Sequence, residues 1–344
     1  MDVSSRSFVR HEDGIVAIAV PVPLPIVRSN AYLIGTKDSA MLVDCGTNWE
    51  KGLKAIQSAA DELGLRPDTI VVTHLHVDHF GGSGALQRAW DARVMLGEED
   101  AREAAAFYRN GAERNDVYRL MYLRNGAPLD GVASTISTVE GIRRLVDFPA
   151  ISRMLRDGDR VRVGDIEFEV VVTPGHSSGH ICLFDRRRGI LLSGDHLLPR
   201  ISPNVGLSMR EGFNPVASYL ASLARIAGLG VRLAYPGHGD PISDVDGRIR
   251  EIVTHHYARA ARIMDIIEET PMTAWDVALK LFGEGLDPFQ MRFAMAEAAA
   301  HLEWLAAEGW VEATGEEVLR YRPVRRDGGL SVESWYSGLH RESR

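Results

Sequence analysis

Short apolar runs alternate with turn residues and longer amphipathic segments along most of the chain. The runs predict strands at residues 14–20, 31–35, 40–44, 69–74, 92–97, 166–176, 180–185, 189–195 and 231–239. Between several of them, apolar residues recur at helical spacing and predict helices over 49–64 and 215–230. Strands interleaved with helices are typical of an α/β architecture, and the strands before the first helix predict hairpins and therefore mixed sheets.

Residues 98–157 have a different pattern, mostly helical and rich in arginine and aromatic residues. We interpret them as a helical lid inserted over the core; its arginines and tyrosines could line an entrance, but for any single one a solvated helix face is favoured. The alternative is a solvated helical excursion without a functional contact.

The pattern changes again after a core domain of residues 1–246. Apolar positions from 249 to 267 predict a connecting helix, Thr273 is placed to cap a second helix, and a third begins at Pro288 and ends at Gly309. A hairpin is predicted around Gly315. Helices followed by a hairpin outline a winged-helix-like domain over 247–326, and residues 327–344 form a Gly- and Ser-rich tail.

Composition and charge exclude several classes of function. The 344 residues are 45% hydrophobic and 25% charged, and the net charge is −8. This acidic balance provides no general attraction to nucleic acid or to an anionic membrane. No secretion signal or membrane-length apolar run is visible, and Cys45 and Cys182 lack a CxxC spacing. We therefore expect a cytoplasmic protein with free thiols and no membrane partner.

Candidate metal ligands follow four of the predicted strands. In α/β sheets, sites form just past the carboxyl ends of strands, so these side chains should converge. Glycine precedes three of them and allows a sharp turn of the backbone. The candidates are His74, His76, Asp78, His79, His176, Asp195 and His238.

Five imidazoles and two carboxylates are too many ligands for one tetrahedral ion, so they predict two divalent ions. With no thiolate in the set, zinc is favoured, and iron and manganese are alternatives. Each motif alone would mean little, because "HxH" is often a surface pattern and "PGH" a simple turn. The ordered set at successive strand ends favours a dinuclear site.

The motifs "VDCG", "THLHVDH", "TPGHSSGH", "SGD" and "PGHG" resemble the motif series of the metallo-β-lactamase superfamily over residues 15–245. The resemblance implies an αββα sandwich with two metals at one edge. It assigns His74, His76 and His176 to the first metal and Asp78, His79 and His238 to the second, with Asp195 bridging. It also implies that Asp44 orients a ligand histidine.

The C-terminal part resembles that of a lactamase-β-like group with an appended winged helix, which includes a single-strand-specific endoribonuclease. The would-be recognition helix carries Arg292 as its only Lys or Arg, against several acidic residues. Duplex DNA is therefore not an expected partner, because reading a groove needs cationic and amide side chains. Packing on the core or against a second subunit, as in a homodimer, is the favoured interpretation.

Three further residues are weaker candidates for substrate contact. His180 could touch substrate or simply pack behind the site. His255 and Arg259 lie one helical turn apart and could face a substrate anion, or they could form a salt-bridged domain interface.

These features predict a hydrolase that uses a metal-bridging hydroxide on a small thioester, ester or lactone. Asp195 and Asp78 would be its catalytic carboxylates, with Asp78 passing a proton to the leaving group. A single-strand-specific endoribonuclease or phosphodiesterase is the alternative activity. A regulatory winged-helix protein with a vestigial metal site is the alternative of another class.

Overall fold

The first of two stacked sheets has seven strands in the same order as the chain. The computed structural model describes residues 8–26, 28–208, 210–324 and 332. The strands are β1 (Phe8–Arg10), β2 (Val16–Pro21), β3 (Arg28–Gly35), β4 (Ala40–Val43), β5 (Thr69–Val72), β6 (Arg93–Gly97) and β7 (Ile151–Leu155). Antiparallel pairing joins β1 to β4 and parallel pairing joins β4 to β7, so the predicted mixed sheet is confirmed.

Helices connect and cover the parallel part of this sheet. They are α1 (Glu50–Leu63), α2 (Val77–Phe80), α3 (Ser83–Trp90), α4 (Glu98–Ala104), α5 (Gly111–Arg124) and α6 (Leu129–Arg143), with a π-helical turn at Ala105–Arg109. The segment predicted as a helical insert over 98–157 thus contains α4 to α6 and ends in β7. That strand escaped the sequence analysis because its residues "ISRML" are mostly exposed at the sheet edge.

The second sheet has five strands in the order β12-β11-β10-β9-β8. Its strands are β8 (Arg160–Val163), β9 (Ile166–Val172), β10 (Ile181–Asp185), β11 (Ile190–Gly194) and β12 (Leu233–Pro236). All neighbours pair antiparallel except β11 and β12, which are joined through α7 (Pro215–Ala227) and run parallel.

Apolar side chains fill three layers, between the sheets and between each sheet and its helices. Val71 and Phe168 meet between the two sheets. Ile56 of α1 packs on the outer face of the first sheet, and Leu223 of α7 packs on that of the second. Strands such as β5 and β11 are buried at every position because both of their faces are covered. This is the predicted αββα sandwich.

The C-terminal helices join the outer layer of the second sheet. They are α8 (Val245–Ile267), α9 (Ala274–Phe282) and α10 (Pro288–Ala307), followed by the hairpin β13 (Val311–Thr314) and β14 (Arg320–Pro323). Thr273 caps α9 as predicted, and Gly309 (φ +74°) and Gly315 (φ +95°) mark the predicted end of α10 and turn of the hairpin. The winged-helix classification stays a prediction, and apart from Val332 the tail of 327–344 lies outside the described residues.

Within the described part of the chain, no helix is both long and apolar enough to cross a membrane.

Candidate metal centre

The seven predicted ligands lie together at one edge of the sandwich, where strands of both sheets end. His74 follows β5, Asp195 follows β11 and His238 follows β12. The single turn of α2 begins after His76, so Asp78 and His79 turn back toward the same point. Their carboxylate and ring atoms form three overlapping groups that could hold a metal ion, each with its atoms within 4.8 Å of one another.

Close packing at this edge explains one of the glycines that precede ligands. A Cβ atom on Gly237 would lie 2.2 Å from Oδ1 of Asp195 and 2.7 Å from Cε1 of His79. Both distances are shorter than van der Waals contact, so only glycine lets β12 bring His238 to the cluster.

The first group consists of His74, His76 and His176. Nδ1 of His76 lies 2.8 Å from Nε2 of His176. Nε2 of His74 is buried and has no hydrogen-bond partner. Buried polar atoms are rarely left unsatisfied in proteins, so a partner of another kind is expected here.

The second group consists of Asp78, His79 and His238. Oδ2 of Asp78 lies 3.1 Å from Nε2 of His238 and 3.3 Å from Nε2 of His79. The two histidine nitrogens are themselves 3.3 Å apart.

Asp195 lies between the two groups. Its Oδ2 is 3.5 Å from Nε2 of His176 and 3.4 Å from Nε2 of His238, and its Oδ1 is 3.5 Å from Nε2 of His79. Oδ1 is buried and has no hydrogen-bond partner. The carboxylate therefore contacts both groups, as a ligand shared by two ions would.

The residues present fit divalent metal ions. Imidazole nitrogens face one another and two carboxylates at short distances, and two buried donor atoms, on His74 and Asp195, lack partners. Nitrogen and carboxylate oxygen are ligands that suit zinc, iron and manganese. The predicted ligands therefore offer the nitrogen and carboxylate atoms that a divalent ion needs.

Asp44 holds His79 in place from behind the cluster. Its Oδ2 lies 2.8 Å from Nδ1 of His79, which directs Nε2 toward the cluster. The same carboxylate accepts hydrogen bonds from the main-chain N–H and the hydroxyl of Thr73 at 2.8 and 2.9 Å. Asp44 has φ +63°, a left-handed conformation that aspartate adopts more readily than most residues.

Main-chain carbonyls orient two other histidines. Nδ1 of His176 donates to the oxygen of Asn204 at 2.7 Å, and Nδ1 of His238 donates to that of Arg28 at 2.8 Å. Both contacts leave Nε2 free to face the cluster. Hydrogen bonds of this kind fix the tautomer of a metal-ligating histidine.

Burial and charge set the protonation of the cluster. Burial lowers the pKa of His76 to about 3 and lowers that of His74 as well. Burial alone would raise the pKa of Asp195, but the charges of His238 and His79 outweigh it, so this pKa is lowered. Burial would lower the pKa of His79 and His238, but the neighbouring carboxylates outweigh it and raise both, that of His238 to about 10. Since metal binds neutral imidazole and ionised carboxylate, these two rings would release a proton on metal binding.

Asp100 organises the site and was missed by the sequence analysis. Its Oδ2 accepts hydrogen bonds from the N–H of Leu75 at 2.8 Å and the hydroxyl of Ser177 at 2.7 Å. Its Oδ1 accepts from the N–H of Gly179 at 2.6 Å. This fully buried carboxylate thus joins the loop after β5 to the loop after β9. The sequence feature that could have identified Asp100 is its position just after β6, the next strand that ends at the same edge.

His180 lies behind the cluster. Its side chain is fully buried and its Nδ1 is 2.8 Å from the hydroxyl of Thr173. A substrate at the cluster would not reach this ring, because the ring of His74 lies against it with centroids 5.1 Å apart. The placement corrects the prediction of substrate contact in favour of the packing alternative.

His255 and Arg259 take part in an interface between α8 and α10. Nη1 of Arg259 donates to Oε1 of Glu297 at 2.6 Å, and its Nη2 lies 3.2 Å from Nε2 of His255. Oε2 of Glu297 accepts from the side chain of Asn204 at 3.1 Å. The guanidinium is thus already paired, which favours the salt-bridge alternative over contact with a substrate anion.

Comparison with known proteins agrees with this geometry. Residues 24–238 match the family model of the metallo-beta-lactamase superfamily, and residues 260–324 match a metallo-beta-lactamase-like C-terminal domain.

Three relatives illustrate the range of similarity. The probable metallo-hydrolase YqjP of Bacillus subtilis is 27% identical over 86% of this chain and 93% of its own length. A metallo-beta-lactamase family structure from Thermus thermophilus is 36% identical, with a TM-score of 0.82 over 91% of this chain and 99% of that one. The atrochrysone carboxyl ACP thioesterase of Aspergillus fumigatus is 24% identical over 71% of this chain and 61% of its own length.

Proposed function

Because this chain belongs to the metallo-beta-lactamase superfamily and is a metal-dependent hydrolase, we propose that it holds two divalent ions and hydrolyses a small thioester, ester or lactone. The observation that carries the proposal is the position of Asp195, whose two oxygens face the two ligand groups. Zinc is the proposed metal in both positions.

Metal ions at these ligands would activate a water molecule as the nucleophile and stabilise the negative charge that develops on the substrate. His74, His76 and His176 would hold the first ion, and Asp78, His79 and His238 would hold the second. Asp195 would bind both. Asp44 keeps Nδ1 of His79 occupied so that only Nε2 is available to the metal.

Asp78 is the carboxylate that we propose transfers a proton to the leaving group. Its side chain is 10% exposed, so one oxygen can reach a group that enters from solvent.

The insert contacts the loop that carries two of the predicted ligands. Tyr108 stacks on Phe80 with ring centroids 5.5 Å apart, and its hydroxyl donates to the main-chain oxygen of Leu75 at 2.9 Å. Leu75 separates His74 from His76, so this contact ties the insert to the ligand loop. A covered site excludes bulk water and strengthens the electrostatic interactions inside it.

Small acyl substrates are favoured over RNA for two reasons. The chain has a net charge of −8, and α10 buries most of its length against the core instead of presenting a cationic face. The thioesterase named above adds support for a thioester, since its name assigns that activity to a relative.

A substrate panel tests the proposal. Metal-replete protein should hydrolyse at least one thioester, ester or lactone and should not cleave single-stranded RNA or a phosphodiester. Asp195→Ala should lose turnover and metal together, whereas Asp240→Ala, which removes an exposed carboxylate, should retain both. Turnover by Asp195→Ala at full metal content would contradict the mechanism, and cleavage of RNA alone would contradict the substrate class.

A further inference from the structure

Arg292 is a partly buried cation without a counterion among the described residues. Its Nε is buried and makes no hydrogen bond, and no described carboxylate forms an ion pair with the guanidinium. By contrast, Arg259 on the neighbouring helix α8 pairs with Glu297 at 2.6 Å. Burying Nε without a hydrogen-bond partner is unfavourable, so the position of Arg292 needs another explanation.

Two aromatic rings on the same helix hold the guanidinium in place. Its Cζ lies 4.1 Å from the ring centroid of Phe293 and 5.6 Å from that of Phe289. Cation–π contacts of this kind orient an arginine while leaving its N–H groups free for a ligand. The two rings therefore restrict the orientation of the guanidinium before a ligand binds.

Arg292 lies on the part of α10 that faces the metal centre. The main-chain oxygen of Phe293 accepts from Asn204 at 3.4 Å, and the oxygen of Asn204 in turn accepts from His176. On the insert side, the hydroxyl of Tyr122 donates to the main-chain oxygen of Arg292 at 3.3 Å. The residue thus lies between the ligand loops and the insert.

The charge of Arg292 acts on the ligand loops and on the insert. Burial lowers the pKa of His76 to about 3, and the charges of His176 and then Arg292 act in the same direction. Burial raises the pKa of Tyr108, and the charge of Arg292 opposes it. The positive charge of Arg292 therefore acts on one ligand histidine and on the tyrosine that contacts the ligand loop.

An anion would be favoured next to Arg292 and the ligand groups. Two divalent ions bound directly by only two carboxylates, Asp78 and Asp195, would bring positive charge to the ligand groups, and Arg292 adds the charge of its guanidinium on the side of α10. Carboxylates and phosphates match the arginine fork and can accept two parallel hydrogen bonds. A neutral substrate would make no use of this arrangement.

We propose that Arg292 binds a carboxylate or phosphate carried by the substrate, and that it thereby selects anionic thioesters, esters or lactones. The inference rests on the proposed hydrolase function and refines its substrate class. Arg292 is a specificity-determining residue in this account, since it acts on the remote end of the substrate.

Paired substrates that differ by one anionic group provide the test. The first pair is the glutaryl thioester of a neutral thiol and its uncharged glutaramyl counterpart, which places the anion on the acyl side. The second pair is the acetyl thioesters of phosphopantetheine and pantetheine, which places it on the leaving group. Wild type should prefer the charged member of one pair by about ten- to a hundred-fold in kcat/KM.

Three variants separate charge from structure. Arg292→Gln should remove the preference while changing the neutral substrates less than about threefold, and Arg292→Lys should restore part of it. Arg187→Gln removes the same charge at an exposed turn between β10 and β11, at the opposite end of the sheet from the ligands, and should keep the preference. Equal losses on charged and neutral members in Arg292→Gln, or no preference in wild type, would overturn the proposal.

Direct binding distinguishes failure of this inference from failure of the hydrolase proposal. If no substrate is turned over, calorimetry on the metal-loaded protein compares glutarate with glutaramate, and phosphopantetheine with pantetheine. Wild type should bind the charged member of one pair more tightly, and Arg292→Gln at unchanged metal content should lose about tenfold or more of that difference. Identical affinities in the two proteins would reject the anion site whatever the reaction is.

Discussion

Nδ1 of His176 donates a 2.7 Å hydrogen bond to the main-chain oxygen of Asn204, and this contact joins the metal centre to the C-terminal helices. The side chain of Asn204 in turn donates to Glu297 of α10 at 3.1 Å, and Glu297 pairs with Arg259 of α8. A ligand histidine is thus positioned through residues that lie about 30 to 120 positions away in the chain. The C-terminal helices therefore belong to the structure of the site.

Replacing Asn204 with Ala should loosen this connection while leaving the carbonyl in the chain. We expect metal affinity to fall by about tenfold, because partners that orient a ligand typically contribute ten- to a hundred-fold. Competition with a chromophoric chelator measures the change. Glu303→Gln alters a side chain further along the same helix and should leave affinity unchanged; an equal loss in both variants would point to a general effect on α10.

Asp44→Asn should weaken the second group of ligands selectively. The amide has one acceptor oxygen where the carboxylate has two, so it cannot serve Thr73 and His79 together. We expect roughly a ten- to hundred-fold loss of affinity for one of the two ions. In a stepwise metal titration, the affinity of one binding step should fall and that of the other should stay at the wild-type value. Two steps with wild-type affinity would contradict the proposal that Asp44 positions His79.

Asp100→Ala should destabilise the protein as well as the site. It leaves the N–H groups of Leu75 and Gly179 without their acceptor in a buried place, and each unsatisfied group costs about 1–3 kcal/mol. We expect the free energy of unfolding to fall by about 2–5 kcal/mol in urea titrations. Ser177→Ala, which removes one donor to the same carboxylate, should cost only about 1 kcal/mol. Similar small losses in both variants would contradict the linking role.

The buried pair His256 and His301 should make the packing of α8 on α10 sensitive to acid. Their nitrogens Nδ1 and Nε2 lie 3.0 Å apart, and burial lowers the pKa of His301 to about 4. A histidine with a depressed pKa in the folded state stabilises the fold above its unfolded pKa, about 6.5, and this contribution is lost as pH falls toward 4. Between pH 7 and pH 5 the loss should be about 2 kcal/mol.

Chemical denaturation at these two pH values measures the effect. His301→Phe should reduce the pH dependence by about this amount, since phenylalanine keeps an aromatic ring but does not titrate. His11→Phe, in the turn between β1 and β2, should retain the wild-type dependence. An unchanged slope in His301→Phe would show that other groups account for the acid sensitivity.

The sequence predicted the candidate ligands that lie together in the fold because each of them follows a short apolar run, and strand ends in α/β sheets converge on one edge. It could not identify Asp100 or Asn204. "GEEDA" has the ordinary composition of an acidic helix start, and only the folded chain brings residue 100 against residues 75, 177 and 179. Likewise, the charged face of α8 permitted either substrate contact or a salt bridge, and the choice depended on Glu297, which lies on another helix.

The role proposed for Arg292 could not be predicted from the sequence either. In the sequence it is the one cation of an otherwise acidic and Ala-rich helix, which argued only against DNA binding. Its lack of a partner among the described residues, and its position beside the ligand loops, are properties of the tertiary structure. Side chains whose role depends on distant neighbours carry no local pattern that could be read beforehand.

The number of metal ions bound by variants of each ligand group shows whether the centre is dinuclear. Elemental analysis of metal-replete wild type should give two ions per chain. His176→Ala and His238→Ala each disable one ligand group and should each retain about one, while Asp195→Ala should weaken both. A wild type that saturates at one ion per chain, or half-site variants that both keep two with unchanged affinity, would contradict the dinuclear centre.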